Sequence, residues 1–517
     1  MTSIRFRLRQ SLVMACLFGI AGGLISSLAY PDNAIWLAIF PAVALILYAI
    51  TIVSVRQSLL VGFLAGLSFY ASQIPWMTVY LGPIPWLALS VLEGAIFAAG
   101  SWAIAFAVSK YRSQRRTFFS TVNFALAVAS LWTAREWVAC NLPYGGFPWS
   151  RVSLSQSNSP LAPWVFWGGD SLLSFVLVFA TAILVFGWRE LRITAWRSSA
   201  TMLALVGVFV VPVVTPLSIE AETGTLKVAA VQGNAKAGLL VAQAPGTILK
   251  NHLDASEQLL SQAQKPELVI WPENAADLNP LENADSRWQI TNFVNRVNAP
   301  LMFGTITERG NDIYNSSILW QPKLGPTDWY DKKRPVAFGE FVPDRAFWHI
   351  LAPDLIDLIP RGYTFGTRDG IFEIPKTKVG TMICFEVAVD DISRDLVHQG
   401  ATLLIAQTNN SDFGTTNEST QQLAIARLRA IETGRAFVNI STVGTSAIIL
   451  PNGVIAQQLP TYKAALMQQE LPLRTSLTPA MLIGSSLEIA NNFSALAQLV
   501  FLMILQFRQR RRGNSID

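Results

Sequence analysis

Three residues that could carry out acyl chemistry lie at or near the ends of predicted strands. Cys384 lies near the end of the β-type run 379–386, Glu273 follows the short strand 268–271, and Lys332 lies in a basic turn. A thiol needs a base to become a thiolate, and a partly desolvated carboxylate has a raised pKa that suits this role. A nearby lysine offsets negative charge and can donate to an oxyanion. These residues are candidates for covalent catalysis by Cys384, with Glu273 as base and Lys332 as cation. Taken singly, Glu273 could equally be a solvated loop carboxylate and Lys332 a surface lysine.

The chain offers few other partners for Cys384. It contains three cysteines and three histidines, and the histidines (His252, His349 and His398) lie in ordinary helical or loop contexts. A Cys–His pair is therefore the weaker alternative. A disulfide with Cys140 is conceivable outside the cytoplasm, where disulfides persist, but it would block the thiol. We expect neither a metal nor another cofactor.

The composition places these residues in a membrane protein. Of the 517 residues, 51% are hydrophobic and only 14% are charged, whereas soluble domains carry about 25% charged residues. Residues 1–217 form nearly continuous apolar blocks, and residues 225–478 have the charge density of a globular domain. One crossing of the bilayer takes about 20 apolar residues. Eight segments reach that length, near residues 10–29, 35–54, 58–79, 83–108, 117–139, 163–187, 199–217 and 485–507.

Basic residues fall on one side of a bundle with eight spans. They lie before the first span (Arg5, Arg7, Arg9), in every second loop (Arg56; Lys110, Arg112, Arg115, Arg116; Arg189, Arg192, Arg197) and in the tail 508–517 (Arg508, Arg510, Arg511, Arg512). Short cytoplasmic loops carry an excess of Lys and Arg. We therefore expect both termini in the cytoplasm and the domain 225–478 on the outer side of the membrane.

Between the seventh and eighth spans, β-rich runs alternate with helix-compatible stretches. Strands are predicted at residues 226–233, 268–271, 301–305, 313–321, 327–330, 379–386, 403–408, 437–441 and 446–450, and helices at 253–264, 287–297, 390–399 and 420–433. This alternation is typical of an α/β layered domain. Chemistry in such domains gathers at the carboxyl ends of strands, where Glu273, Cys384 and Asn409 all lie.

Several motifs, taken in order, resemble one known superfamily. They are WPEN at 271–274, YDKKRPVAFGEFVP at 330–343 and MICFE at 382–386. In this order they resemble the nitrilase superfamily, and the flanking spans narrow the resemblance to its membrane-embedded branch, the apolipoprotein N-acyltransferases. The resemblance implies an αββα sandwich and a Glu-Lys-Cys triad of Glu273, Lys332 and Cys384. It extends to the sequence REW at 135–137 in the fifth predicted span.

The resemblance also implies supporting residues around the triad. Glu340 and Glu386 match carboxylates that position the lysine and the incoming amine, or that serve a structural role. Asn315 matches an asparagine near the site. Asn409 and Phe413 belong to the loop 409–414, which matches the family pattern N-D-A-W-F-G and is expected to contact substrate.

The chain departs from the family pattern in three places. Asp412 replaces the tryptophan of the loop 409–414, Ala337 replaces a proline before the F-G-E motif, and a tryptophan after the first strand of the domain is missing. The two absent tryptophans are expected to line or gate an acyl pocket. These departures therefore bear on the lid and on the lipid preference, and the sequence does not predict either.

The activity that the resemblance implies is the last step of bacterial lipoprotein maturation. A phospholipid would acylate Cys384, and the thioester would pass its acyl group to the α-amine of the diacylglyceryl-cysteine of an apolipoprotein. The resemblance implies a multi-pass protein of the bacterial cytoplasmic (inner) membrane, acting as a monomer on bilayer-anchored substrates and not on nucleic acid. Two alternatives stay open: a membrane-tethered amidase of the nitrilase type, and a non-catalytic membrane scaffold or transporter.

Overall fold

A computed structural model describes residues 2–111, 118–187, 195–236 and 243–513. The chain divides into two compact units, one formed by Met1–Thr215 and Leu482–Asp517 and the other by Pro216–Met481. Arg112, Arg115 and Arg116 of one predicted basic loop, and Arg189 and Arg192 of another, lie outside the described residues.

The first unit is helical. Its helices before the second unit are α1 (Thr2–Ser26), α2 (Ile39–Thr51), α3 (Gln57–Gln73), α4 (Met77–Leu81), α5 (Pro83–Tyr111), α6 (Phe118–Asn141), α7 (Val165–Gly187) and α8 (Ala195–Val214). The chain returns to this unit in its C-terminal helix, Pro479–Gly513. A helix therefore lies in each of the eight segments predicted to span the membrane.

Only some of these helices meet a strict length and hydropathy requirement for crossing a bilayer. Within the described residues there are four: Ser11–Ala29, Pro83–Tyr111, Ala162–Gly187 and Pro479–Arg508. Trp36–Thr51 and Leu205–Val214 are apolar but shorter. The structure therefore supports several membrane helices, while the number eight stays a prediction.

A buried polar cluster lies among the helices of the first unit. The Arg135 guanidinium stacks over the Phe97 ring at 4.4 Å and donates to the Tyr70 hydroxyl at 3.3 Å. Glu136 accepts from the Trp132 indole N–H at 3.0 Å. Burying charged groups is costly unless they are paired, so these contacts explain how α6 holds two adjacent charges in an apolar unit.

The second unit contains two six-stranded sheets. Its elements in order are β1 (Thr225–Gln232), α9 (Thr247–Ser256), β2 (Leu268–Ile270), α10 (Ala284–Val297), β3 (Leu301–Arg309), β4 (Asp312–Gln321), β5 (Gly325–Asp331), α11 (Arg345–Leu351), α12 (Pro353–Ile356), β6 (Ile371–Ile374), β7 (Thr377–Ile383), α13 (Asp390–His398), β8 (Leu403–Thr408), α14 (Glu418–Thr433), β9 (Ala436–Ser441), β10 (Ala447–Ile449), β11 (Ile455–Gln458) and β12 (Ala465–Pro472), before the C-terminal helix α15 (Pro479–Gly513). The strand orders are β12-β1-β2-β3-β4-β5 and β11-β10-β9-β8-β7-β6.

Alternating side chains of the strands build two apolar layers. Val228 and Ala230 of β1 point into a core shared by both sheets, whereas Ala229 and Val231 pack with residues of α9 and α10. A strand that is apolar on both faces belongs in a sheet covered on both sides. Helices α13 and α14 pack on strands of the second sheet. The unit is therefore an αββα sandwich, which is the fold expected for a nitrilase-like domain.

The structure differs from the sequence prediction at several elements. Strands β6, β11 and β12 were not predicted, because these segments carry charged and amide side chains in place of a continuous apolar run. The helix predicted at 253–264 lies earlier, as α9, and ends in the 3₁₀ turn Glu257–Leu259. The predicted strand 379–386 is also too long, since β7 ends at Ile383 and the 3₁₀ turn Cys384–Ala388 follows.

Candidate active site

Glu273 lies just beyond β2, where proline ends the ladder. Pro272 has no N–H to donate to a neighbouring strand, so the chain leaves the sheet after Trp271. The other sheet fixes this segment, because Gln407 donates to the Trp271 carbonyl at 2.7 Å and Thr442 donates to the Glu273 carbonyl at 3.3 Å. The Glu273 side chain is almost fully buried, with 5% exposed.

Lys332 lies directly after β5 and is buried between carboxylates. Its Nζ is 2.9 Å from the Glu340 carboxylate and 3.9 Å from Glu273 Oε1. The Asn315 side-chain N–H group on β4 joins the same cluster, donating to Glu273 Oε1 at 2.7 Å and to Glu340 Oε1 at 3.1 Å. The backbone N–H of Val336 donates to Glu340 at 2.7 Å. The chain thus brings four of the predicted site residues into one hydrogen-bonded cluster.

The burial of this cluster sets its protonation. Burial raises the pKa of the Glu273 carboxyl to about 7, with the nearby Lys332 ammonium opposing the shift and Glu340 adding to it. Burial alone would lower the pKa of Lys332, but the Glu340 and Glu273 carboxylates outweigh it and hold that pKa above its ordinary value. Lys332 therefore stays a cation, and Glu273 exchanges its proton near neutral pH.

Cys384 lies at the first position after β7, in a strained backbone conformation. Its φ is +52°, in the left-handed region that side chains other than glycine rarely adopt. Such strain costs about 1–3 kcal/mol and is found at functional sites that the surrounding structure holds in place. The residue is half-buried. Burial, followed by the Glu273 charge, raises the pKa of the Cys384 thiol, while Lys332 opposes the shift. The thiol therefore needs a base to become a nucleophile.

Glu386 holds the turn after Cys384 through hydrogen bonds. Its carboxylate accepts from the Ile383 N–H at 2.8 Å, the Lys333 N–H at 2.8 Å, the Arg334 N–H at 3.0 Å and the Tyr330 hydroxyl at 2.8 Å. These donors come from the end of β7 and from the residues around Lys332. Glu386 therefore links the cysteine turn to the lysine segment, which favours the structural role among the two considered from the sequence.

The loop after β8 has a mostly local organisation. Asn409 is half-buried, and its Oδ1 accepts from the Ser411 N–H at 3.3 Å and the Ser411 hydroxyl at 2.6 Å, which stabilises the 3₁₀ turn Ser411–Phe413. Phe413 ends that turn and is also half-buried. Burial raises the pKa of Asp412, and its charge in turn helps to raise the pKa of Glu273. Asp412 is thus electrostatically linked to Glu273.

The alternative partners of Cys384 lie elsewhere. All three cysteines are free thiols. His252 is buried in the core and contacts the Ile248 carbonyl, His349 pairs with Asp357, and His398 contacts the Met481 carbonyl. Across the described ranges, no group of three or more His, Cys, Asp or Glu side chains could hold a metal ion.

Sequence reasoning missed a second polar group beside Cys384. Gln422 of α14 is fully buried and directs its side-chain N–H group to Cys384 Sγ at 3.8 Å. Asn410 connects Gln422 to Glu418, which is also buried. The available signal was the pair Glu418 and Gln422, four residues apart and so on one face of a helix.

Comparisons with known proteins cover both units. Residues 22–183 match the family described as Apolipoprotein N-acyltransferase N-terminal domain, and residues 227–476 match the Carbon-nitrogen hydrolase family. The chain is 31% identical to the apolipoprotein N-acyltransferase of Mycolicibacterium smegmatis, over 94% of this chain and 84% of that relative. It is 29% identical to the apolipoprotein N-acyltransferase of Azotobacter vinelandii, over 90% of each chain.

Two solved structures are similar to this chain at low identity. An amidase from Nesterenkonia shares 14% identity, with a TM-score of 0.38, over 53% of this chain and 99% of the amidase. A Saccharomyces cerevisiae member of the nitrilase superfamily shares 17% identity, with a TM-score of 0.39, over 49% of this chain and 93% of that protein.

Proposed function

This chain belongs to the apolipoprotein N-acyltransferase family, and from that premise we propose how its site transfers an acyl group. The protein is a membrane acyltransferase that N-acylates lipoproteins. Cys384 carries the acyl group, Glu273 is the base, and Lys332 supplies the positive charge. The observation that carries this assignment is the buried Lys332 ammonium, held between the Glu273 and Glu340 carboxylates. A negative charge on the Cys384 sulfur would raise the pKa of Lys332 further.

The first half-reaction forms a thioester. Glu273 takes the proton of the Cys384 thiol, and the sulfur attacks the carbonyl carbon of a phospholipid acyl ester. Lys332 stabilises the negative charge that develops on the carbonyl oxygen. The ester C–O bond then breaks, the leaving alkoxide takes the proton from Glu273, and a lysophospholipid departs.

The second half-reaction returns the site to its starting state. The neutral α-amine of a diacylglyceryl-cysteine attacks the thioester carbonyl, and Glu273 accepts the proton that the amine loses. The C–S bond breaks, and the proton passes from Glu273 to the Cys384 sulfur. Asn315 donates to both Glu273 and Glu340 and so holds the two carboxylates in place during this step.

We also infer where the reaction takes place. Eight spans with basic loops on one side put both termini in the cytoplasm and the second unit, residues 225–478, outside the cytoplasmic membrane. Both substrates are anchored in the bilayer, and this placement gives them access from the outer leaflet. Asn409, Phe413 and Asp412 lie in the loop that we assign to substrate contact, and the protein acts as a monomer.

Labelled phospholipid tests the proposal directly. The full chain in lipid nanodiscs is incubated with a phospholipid carrying a labelled acyl chain, and Cys384 is examined by mass spectrometry for a thioester. We expect an adduct that neutral hydroxylamine removes, and that a diacylglyceryl-cysteine peptide clears with transfer of the label to its amine. Absence of an adduct, or loss of label to water alone, would contradict the transferase mechanism.

Two variants sharpen this test. Cys384→Ala should form no adduct, and Glu273→Gln should form it about 10²–10⁴-fold more slowly, which is the usual contribution of a general base. Glu282→Gln is the matched control, because Glu282 is an exposed carboxylate a few residues further along. Its adduct formation should equal that of the unmodified chain.

A further inference from the structure

We propose that Gln422 is a catalytic hydrogen-bond donor to the Cys384 thiolate, held in the donating orientation by Asn410. This role deepens the proposed function, since it rests on Cys384 being the nucleophile. Gln422 would be the third group that activates the thiol, after Glu273 and Lys332. It lies on α14, outside all of the motifs described above.

The orientation of the Gln422 amide follows from a chain of hydrogen bonds that starts at the backbone. The Gly444 N–H donates to Ser441 Oγ at 2.9 Å, so the Ser441 hydroxyl is free to donate to Asn410 Oδ1, at 2.5 Å. The Thr408 hydroxyl donates to the same oxygen at 3.1 Å. With its oxygen fixed as the acceptor, Asn410 must present its N–H groups on the other side.

The side-chain N–H groups of Asn410 fix the orientation of the Gln422 amide. Asn410 Nδ2 donates to Gln422 Oε1 at 2.9 Å and to Glu418 Oε2 at 2.6 Å. Since the Gln422 oxygen faces Asn410, its nitrogen faces Cys384 Sγ, at 3.8 Å. The directions along this chain are consistent with one another, and the chain begins at a backbone N–H, which can only donate.

Because the residues of this hydrogen-bonded chain are buried, losing any one of the bonds would be costly. Asn410, Gln422 and Ser441 are 2%, 0% and 0% exposed, so water cannot replace a missing partner. Gly444 permits the close approach, because a Cβ at this position would lie 2.5 Å from Asn410 Oδ1. A buried amide with a wrongly oriented neighbour would carry the full cost of an unsatisfied polar group.

The hydrogen bond from Gln422 favours the thiolate form of Cys384. A hydrogen bond donated to the thiolate stabilises it relative to the thiol and lowers its pKa, whereas the neutral thioester gains much less. The charged groups with the largest effect on the pKa of Cys384 are Glu273, Lys332, Glu418 and Glu340. Three of these are acidic, and burial raises the pKa of Glu418 to about 8. Gln422 opposes their effect without adding a charge.

The test measures the thiolate directly, without the acyl-transfer reaction. The rate of alkylation of Cys384 by iodoacetamide is followed against pH in the full chain, by mass spectrometry of the peptide that contains it. Gln422→Met keeps the length of the side chain and removes the donor. It should raise the midpoint of the alkylation rate plotted against pH by about one pH unit. Below that midpoint, alkylation should slow about three- to tenfold.

A second variant tests the relay and a third serves as control. Asn410→Leu is close in size and removes the group that donates to the Gln422 oxygen without adding a charge, so the Gln422 amide should lose its fixed orientation and the midpoint should move up by a comparable amount. Gln232→Met removes a buried amide whose donors and acceptor are used elsewhere, by the Pro460 and Lys463 carbonyls and the Ser446 hydroxyl. It should lower the melting temperature and leave the midpoint unchanged.

The outcomes separate this role from a purely structural one and from the proposed function. An unchanged midpoint in folded Gln422→Met would overturn the proposal, as would an equal shift in Gln232→Met. If Gln422→Met does not fold, the midpoint of Asn410→Leu decides. Failure of labelled phospholipid to form a thioester would count against Cys384 as the acyl carrier, whatever the alkylation profile shows.

Discussion

At the scale of the residue, the cluster around Glu273 makes acylation depend on pH in a definite direction. The base must be ionised, and its pKa is about 7, so the rate of thioester formation should fall as the pH drops through 7. Asn315 stabilises the ionised form by donating to it. Asn315→Leu should raise the pKa of Glu273 and so move the acid limb of the pH–rate profile up by about one pH unit. The rate is measured as lysophospholipid release in a single turnover.

Ser317→Ala is the control for this shift, because Ser317 lies two residues along the same strand and its buried hydroxyl has no hydrogen-bond partner within the described chain. Its acid limb should coincide with that of the unmodified chain. An acid limb that stays in place in Asn315→Leu would show that Glu273 is not the group that titrates.

At the scale of the element, the position of Glu273 depends on how closely β3 approaches the end of β2. The Gly304 N–H donates to the Pro272 carbonyl at 3.0 Å, and a Cβ at Gly304 would lie 2.6 Å from the Glu273 Cα. Gly304→Ala should therefore displace the base. We expect a loss of about 1–3 kcal/mol in unfolding free energy and about 100-fold in acylation rate, measured by thermal unfolding and thioester formation.

The matched control is Gly310→Asn, in the turn that follows the same strand. Gly310 has a φ of +63°, which asparagine tolerates, and open space where a side chain would lie. Both measurements should stay close to those of the unmodified chain. If Gly304→Ala acylated Cys384 at the normal rate, the contact between strands would not be what positions Glu273.

Sequence patterns predict strand-end residues well and their mutual orientation poorly. Glu273 and Cys384 were identified because a proline and a β-rich run mark the ends of strands. The φ of Cys384 could not be predicted, since it results from contacts such as those of Glu386 that are distant in sequence. Gln422 was missed because a glutamine on a helix is usually solvated, and only the packing of α14 shows that this one is buried.

At the scale of the whole molecule, the arrangement of basic loops predicts which side of the membrane each segment faces. Ser54 is exposed close to Arg56, at the end of the second span that is predicted to be cytoplasmic, and Glu282 is exposed in the second unit. With the three native cysteines replaced by alanine, Glu282→Cys should react with a membrane-impermeant maleimide added to intact spheroplasts. Ser54→Cys should react only after lysis, and its labelling in intact spheroplasts would reverse or break the topology.

The first and last strands of the second unit have a consequence for how such a chain could have arisen. β1 and β12 pair side by side along their whole length, from Thr225 opposite Pro472 to Gln232 opposite Ala465. The unit therefore begins and ends at the same place, which is the geometry that tolerates insertion of one domain into another. A helical protein could have acquired this sandwich in a single insertion between two helices, and the sandwich could be transplanted in the same way into a different host chain.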